Sequence, residues 1–330
     1  MWVKKKDMDA RNVEICRNLS KIVEKTRKNR ESGALEMSKF IAENIPEEVL
    51  EKSKGIRLIA LDLDGTTLTR DGLTRRTKET LEEAIANGVD VVIATGRAFT
   101  SLPERVRKIE GMKWIITSNG AHITDCKTGE FIYSNYVSPE VVRQVHAILS
   151  KRPEFPMQVF TRGQAYIDSL LYEDLEKNGS TFMSAKYILR TRKPVDRIYD
   201  FLLANENEIE NLNIHFEFPE GRNEMIEVLG AIPHMTLTSS ELNNLEVGGE
   251  TTSKASALCE LCKEKNIGME HVMAFGDSPN DGKMITEAGI GVAMLNATDK
   301  VKEMADLVTL SNDEEGVAYA VRKLILGKPW

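Results

Sequence analysis

Histidine and cysteine are scarce in this chain, five of one and four of the other in 330 residues. The cysteines, Cys16, Cys126, Cys259 and Cys262, are too few and too scattered for a disulfide framework in a chain this long, so they read as free thiols. Cys259 and Cys262 have CxxC spacing, but they fall late in a helical pattern from Ser253 to Lys265 and no second pair completes a zinc site. Packing on a helix face is their expected role. The histidines stand singly, with no HxxxH pair, so no histidine-based metal site is evident. There is no run of about eighteen uncharged apolar residues, and the opening Met-Trp-Val-Lys-Lys-Lys-Asp leads into no apolar signal core. The expectation is a soluble, cytoplasmic protein without a membrane partner. A net charge of -7 argues against a general nucleic-acid binder. Internal repeats and low-complexity tracts are also missing.

What is present divides into three parts. Residues 1–54 read as a helical N-terminal appendage, in which residues 1–30 hold ten Lys or Arg against four Asp or Glu. Val13, Cys16, Leu19, Ile22 and Val23 follow helical spacing, a second helix is expected over residues 36–43, and Pro46-Glu47-Glu48 opens a third. An interaction arm and a helical pair packed on the main domain are both open roles. Residues 55–134 and 241–330 alternate apolar strands with helices, the rhythm of a Rossmann-like α/β core with a parallel sheet. Residues 135–240 break that rhythm with a hairpin, Met157 to Thr161 and Gln164 to Asp168 about Arg162-Gly163, and with helices expected over Val195 to Glu208 and Gly221 to Leu229. Mixed α+β character marks this stretch as an inserted domain.

In the core, the run Ile56 to Leu61 is too short for a typical helix and suits a strand buried on both faces. It stops at Asp62-Leu63-Asp64-Gly65-Thr66-Thr67. Next come a helix over Thr74 to Asn87, a strand ending in Thr95-Gly96-Arg97, a helix over Ser101 to Glu110, and the strand Trp114 to Ile116 ending in Thr117-Ser118-Asn119-Gly120. After the insert, a strand ends in Gly276-Asp277-Ser278-Pro279-Asn280-Asp281. If these strands are parallel, all the polar ends share one sheet edge, where open α/β sheets bind ligands. An EF-hand is excluded, because Gly65 is fourth rather than sixth in its loop and a strand precedes it. Gly289-Ile-Gly291 lacks the third glycine of a dinucleotide fingerprint, since Met294 stands there.

Asp62, Asp64, Asp277 and Asp281 are then four carboxylates facing one crevice. Their mutual repulsion calls for a cation, and an all-oxygen site with few protein ligands suits Mg²⁺. Lys254, Thr95 and the backbone N–H groups of the loops carrying Gly65, Gly96 and Gly120, with Arg97 and Asn119 beside them, supply donors for a phosphate. The economical chemistry is phosphoryl transfer with Asp62 as nucleophile and Asp64 as acid and base. Asp62, the carbonyl of Asp64 and Asp277 would hold Mg²⁺, and Thr95 and Lys254 would bind the transferring oxygens.

Taken in order, Asp62-Leu-Asp-Gly-Thr-Thr-Leu, Ala94-Thr-Gly-Arg, Ser118-Asn-Gly-Ala, Ser253-Lys254 and Gly276-Asp-Ser-Pro-Asn-Asp resemble the signature loops of the haloacid-dehalogenase-like (HAD) hydrolases. Within that superfamily the pattern is similar to the Cof-type phosphatases with a type-2 cap, over about residues 56 to 326. The resemblance implies a HAD-like core, a cap at 135–240 and Mg²⁺-dependent phosphatase activity with the roles given above. It also implies that Asn280 contacts phosphate, that Asp281 supports the metal, and that the substrate is a small phosphorylated metabolite, sugar phosphates first. Ala255 departs from the pattern, since many relatives have glycine after the lysine. Asp64 argues against an ion pump or a dehalogenase. A phosphomutase or phosphotransferase, or a non-catalytic module acting through the basic N-terminal helix, stays open, as does the choice of monomer or homodimer. Of the expected insert, Arg162, Tyr166 and Arg222 are candidates for reading the substrate.

Overall fold

The computed structural model describes residues 45–330. Cys16 and the helices expected before residue 44 lie outside them. The described part of the appendage is the helix Glu47–Ser53, which begins after Pro46 as expected and lays Val49 on the main core.

The core strands are β1 (Leu58–Leu61), β2 (Asp90–Ala94), β3 (Trp114–Thr117), β4 (His122–Asp125) and β5 (Phe131–Ser134). The inserted stretch holds β6 (Met157–Thr161), β7 (Gln164–Asp168), β8 (Arg192–Val195), β9 (Ile209–His215), β10 (Met235–Thr238) and β11 (Asn244–Gly249). Three more, β12 (Val272–Gly276), β13 (Ile290–Ala293) and β14 (Leu307–Val308), return to the core. They form two sheets, one ordered β14-β13-β12-β1-β2-β3-β4-β5 and the other β10-β11-β9-β6-β7-β8.

The first sheet is parallel from β14 through β3. Its continuous apolar runs follow from helices on both faces: Leu58 and Ala60 of β1 join one apolar cluster, Ile59 and Leu61 the other. Burying each large aliphatic side chain there contributes about 1.5–3 kcal/mol. The chain runs from β1 outward to β2 and β3, whereas the C-terminal half starts at β12, on the other side of β1, and runs away toward β14. The crevice between β1 and β12 is therefore the topological switch point, the place where such sheets bind ligands.

Helix ends follow the sequence signals. Arg75–Ala86 starts at Thr74, whose Oγ1 accepts from the Thr77 N–H at 3.1 Å, and stops before Gly88 at φ +87°. Ser253 caps Lys254–Lys265 by accepting from Ser256 N–H at 3.0 Å. In that helix Cys262 is buried and its thiol is pushed up to about 11 by burial, which fits packing rather than thiolate chemistry.

Some expectations are corrected. The helix expected over Ser101 to Glu110 is a short 3₁₀ turn, Phe99–Ser101, and a single helical turn, Glu104–Arg107, because Pro103 interrupts the pattern. The helix expected from Val195 starts at Ile198, since 192–195 pair with β7 as a strand. The hairpin β4–β5, which extends the first sheet antiparallel, carries no clear signal in the sequence. Where the sequence closes the insert at residue 240, the second sheet takes in Asn244–Gly249 as well.

The second sheet is apolar on one face. Met157, Val159, Leu212, Ile214, Leu245 and Val247 pack there against the helices Pro139–Leu149, Ile198–Ala204 and Pro219–Gly230. Its other face is polar and buried, with Gln158, Asn213, His215, Asn244 and Glu246. That polarity has a partner, because this face lies over the β1–β12 crevice. Among the described residues, no helix is long and apolar enough to cross a membrane.

Candidate active site

Asp62 follows β1 directly. Its backbone N–H donates to the Phe275 carbonyl at 3.0 Å, and the Asp62 carbonyl accepts from Thr67 Oγ1 at 2.5 Å, so the residue is held between the neighbouring strand and its own loop. The loop then turns at Gly65, where φ is +78° and a Cβ would stand 2.6 Å from the Asp277 carboxylate; only glycine allows that approach. Thr66 Oγ1 and Ser278 Oγ donate to Asp277 at 2.8 and 3.0 Å and fix its orientation.

Lys254 reaches this edge from the first turn of its helix, completely buried. Its Nζ lies 2.5 Å from Asp62 Oδ1 and 2.7 Å from Asp281 Oδ1. Asp281 uses its other oxygen to accept from the backbone N–H groups of Asp277 and Ser278, both at 3.0 Å. Two carboxylates thus share one ammonium, with Asp277 within reach of its charge, and the electrostatics follow. Burial, then Asp281, pushes the Asp62 carboxyl well above the usual range, with Lys254 pulling the other way. Burial and Asp281 raise Asp277 to about 6 against the hydrogen bonds from Thr66 and Ser278. Burial also works against the charge on Lys254, but Asp281 and Asp62 outweigh it and hold its pKa above the ordinary lysine value.

Asp62, Asp277 and Asp281 each offer an oxygen, and all these atoms lie within 4.8 Å of one another. The residual negative charge and the hard-oxygen donor set fit a divalent cation such as Mg²⁺. The Asp64 carboxylate stands apart from this cluster. It turns outward, half exposed, where Arg97 Nε and Nη2 grip its two oxygens at 2.7 and 2.5 Å. Two acids two residues apart therefore occupy different environments.

The other predicted residues divide. Thr95, Gly96, Arg97 and Asn280 line a cavity of about 500 Å³ together with Asp62, Asp64, Lys254 and Asp277. Asn119 stands behind it: its Nδ2 donates to Glu246 Oε2 at 2.7 Å, and its Oδ1 accepts from Asn280 Nδ2 at 3.0 Å. Gly120 supports the site rather than facing the cavity. Its φ is +100°, and a Cβ there would lie 2.2 Å from the Ser253 carbonyl, which immediately precedes Lys254. Gly120→Ala is accordingly expected to destabilise the fold by about 2 kcal/mol or more and to reduce turnover by moving Lys254; denaturant unfolding and phosphatase rates check both effects.

Sequence reasoning missed the contribution of the second sheet. Phe160, Tyr187, Arg192, Asn213 and Glu246 also line the cavity. None belongs to a motif, and only a strand register known in advance could have placed Phe160, Asn213 and Glu246 on one face. The three candidates proposed from sequence sit elsewhere. Arg162 pairs with Glu208 at the hairpin turn, Tyr166 packs against Phe201, and Arg222 donates to the Asn244 carbonyl.

Against known proteins, residues 59–321 match the family model described as haloacid dehalogenase-like hydrolase. The chain belongs to that family. It is 31% identical over 274 residues to the 5-amino-6-(5-phospho-D-ribitylamino)uracil phosphatase YcsE of Bacillus subtilis, covering 82% of this chain and 96% of that protein. It is also 31% identical over 289 residues to the phosphatase YwpJ of the same organism, covering 82% and 100%. Among solved structures, a haloacid dehalogenase-like hydrolase from B. subtilis superposes with a TM-score of 0.70 at 29% identity, covering 82% of this chain and all of that one. The switch-point crevice with its buried lysine and three aspartates is thus the place where this HAD hydrolase carries its family motifs.

Proposed function

We propose that this phosphatase hydrolyses small phosphomonoesters in two steps through a phosphoryl group carried on Asp62, with Mg²⁺ as cofactor. The observation that carries the reading is the separation of the two acids. Asp62 is buried against Lys254, at the metal-fitting end of the crevice, and Asp64 is held apart by Arg97. One carboxylate is placed to attack phosphorus, and the other to give a proton to the leaving oxygen and take one from water.

In the first step Asp62 forms a bond to phosphorus as the ester P–O bond breaks, and Asp64 protonates the departing alkoxide. In the second, Asp64 withdraws a proton from water as it attacks phosphorus, freeing Asp62 and inorganic phosphate. Thr95, Lys254 and the backbone N–H groups beside Gly65 and Gly96 would bind the transferring oxygens, with Asn280 as a further contact. Asp62, Asp277 and Asp281, with the carbonyl of Asp64, would hold Mg²⁺, which supplies charge neutralisation between nucleophile and phosphate. The stretch centred on the second sheet acts as the cap, from residue 135 to the end of β11. Its polar face closes the crevice and excludes water.

Aromatic planes at Phe160 and Tyr187 with polar groups at Arg192, Asn213 and Glu246 support a hydroxylated organic part, so sugar and polyol phosphates are the proposed substrates. The phosphorylated ribitylaminouracil in one relative's name belongs on the same panel.

The test is a panel of phosphorylated metabolites assayed for free phosphate with Mg²⁺, with EDTA, and with Mg²⁺ restored. Phosphate release that disappears with EDTA and returns with Mg²⁺ is expected. Isomer formation without release would replace the reading with a phosphomutase, and no turnover under any metal would favour a non-catalytic module.

A further inference from the structure

Two guanidinium groups approach the half-buried ring of Tyr187, on the helix Ala185–Thr191. Arg97 Cζ is 4.8 Å from the ring centre and Arg192 Cζ is 4.7 Å from it. Arg192 belongs to β8 and is itself fixed: its Nε donates to Gln158 Oε1 at 2.7 Å and its Nη1 to Thr191 Oγ1 at 2.9 Å. Gln158 Nε2 in turn lies 2.8 Å from His215 Nε2, so the arginine is the end of a buried polar line across the second sheet. Ile188, next to Tyr187, anchors the helix in an apolar cluster with Ile167 and Leu175. The ring is thus held by the second sheet and its helix.

Arg97 comes from the other sheet, from the loop after β2. Beyond its two bonds to Asp64, its Nη1 donates to the Ser101 carbonyl at 3.2 Å. That leaves the flat faces of the guanidinium as its remaining contact surface, and Tyr187 is stacked against the group. The connection runs without a break from the second sheet through Tyr187 to Arg97 and so to both oxygens of Asp64.

We propose that Tyr187 is a positioning residue for the acid–base step: by stacking on Arg97 it holds Asp64 in register with the leaving oxygen only while the second sheet is seated on the core. This rests on the reading of Asp64 as the acid and base. Without the ring, Arg97 keeps its hydrogen bond to the Ser101 carbonyl beside those to Asp64, and the wider range of its side-chain torsions carries Asp64 with it. Misplaced proton transfer slows the esters whose leaving groups most need protonation.

Para-substituted phenyl phosphates test this, because leaving-group acidity changes along the series while shape stays nearly constant. kcat and kcat/KM would be measured for wild type, Tyr187→Ala, Tyr187→Phe, Asp64→Asn and the double variant Asp64→Asn with Tyr187→Ala. Tyr187→Ala is expected to lose about tenfold more rate on the poorest leaving group than on the nitrophenyl ester, and Tyr187→Phe, which keeps the ring, to restore the wild-type slope. The double variant should be no steeper than Asp64→Asn alone. A Tyr187→Ala protein that loses the same factor across the series, or none, while Asp64→Asn steepens it, would overturn the inference and leave the role of Asp64 standing. An unchanged slope in Asp64→Asn would overturn both.

Discussion

Asp62→Asn is expected to lower turnover by on the order of 10⁵-fold while leaving the protein folded. The substitution keeps the shape of the side chain and removes only the carboxylate proposed as nucleophile. Its effect on stability should be neutral or favourable, for a reason particular to this site. Asp62 is buried beside Asp281 and Asp277, and both burial and Asp281 oppose its charge. Removing one of three crowded carboxylates leaves Lys254 still paired with Asp281 at 2.7 Å. A thermal midpoint equal to or above that of wild type, together with loss of turnover, is the signature of a residue kept for chemistry at some cost in stability. Residual activity near the wild-type level would remove Asp62 from the mechanism.

Lys254→Met should damage both properties at once. Among the described residues, Nζ is the only cation in direct contact with the Asp62 and Asp281 carboxylates, and its side chain is 2% exposed. Methionine fills a similar volume but leaves the two acids buried without a counter-charge, and breaking a buried pair in this way costs about 3–5 kcal/mol. Turnover should fall by about 10²–10³-fold, the loss typical of removing one charged donor from a phosphoryl or oxyanion site. The two effects separate by their response to metal. Added Mg²⁺ should restore part of the thermal stability, because the same carboxylates would hold it, but not the rate, because the proposed donor to the transferring oxygens is gone. Recovery of both together would mean that Lys254 serves only to balance charge.

Much of this site was legible in the sequence because parallel strands put their ends on one edge. Once Ile56 to Leu61, Val89 to Ala94 and His271 to Phe275 are read as buried parallel strands, the residues that follow them must meet, whatever the loops do in detail. Strand order adds something the motifs do not carry. It places β12 on one side of β1 and β2 on the other, so that Asp277 and Thr95 flank Asp62 from opposite sides. Lys254 was legible as a donor for phosphate, but its contacts with Asp62 and Asp281 were not, since they depend on how its helix packs.

Glycines illustrate the same limit. Gly65 and Gly120 look alike in sequence, yet one clears space for the Asp277 carboxylate at the cavity and the other for the Ser253 backbone behind it. The second sheet was least legible. Its polar face comes from alternation along β6, β9 and β11, and which residues of an alternating strand face the crevice depends on register. The bulge between Phe160 and Thr161 shifts that register within β6 itself. Tyr187 and Arg192 came together only through the pairing of β7 with β8, a parallel contact inside an otherwise antiparallel sheet.

The central claim is that phosphate passes through a covalent bond to Asp62. Acid-quenching the Asp64→Asn protein during turnover with Mg²⁺ tests it most directly, because that substitution is expected to slow the release of the phosphoryl group. Peptide mass spectrometry of the quenched protein should find one phosphoryl group on the peptide containing Asp62, absent from Asp62→Asn and discharged by hydroxylamine. Phosphate released with no acyl phosphate on that peptide, or an adduct on another residue, would contradict the account.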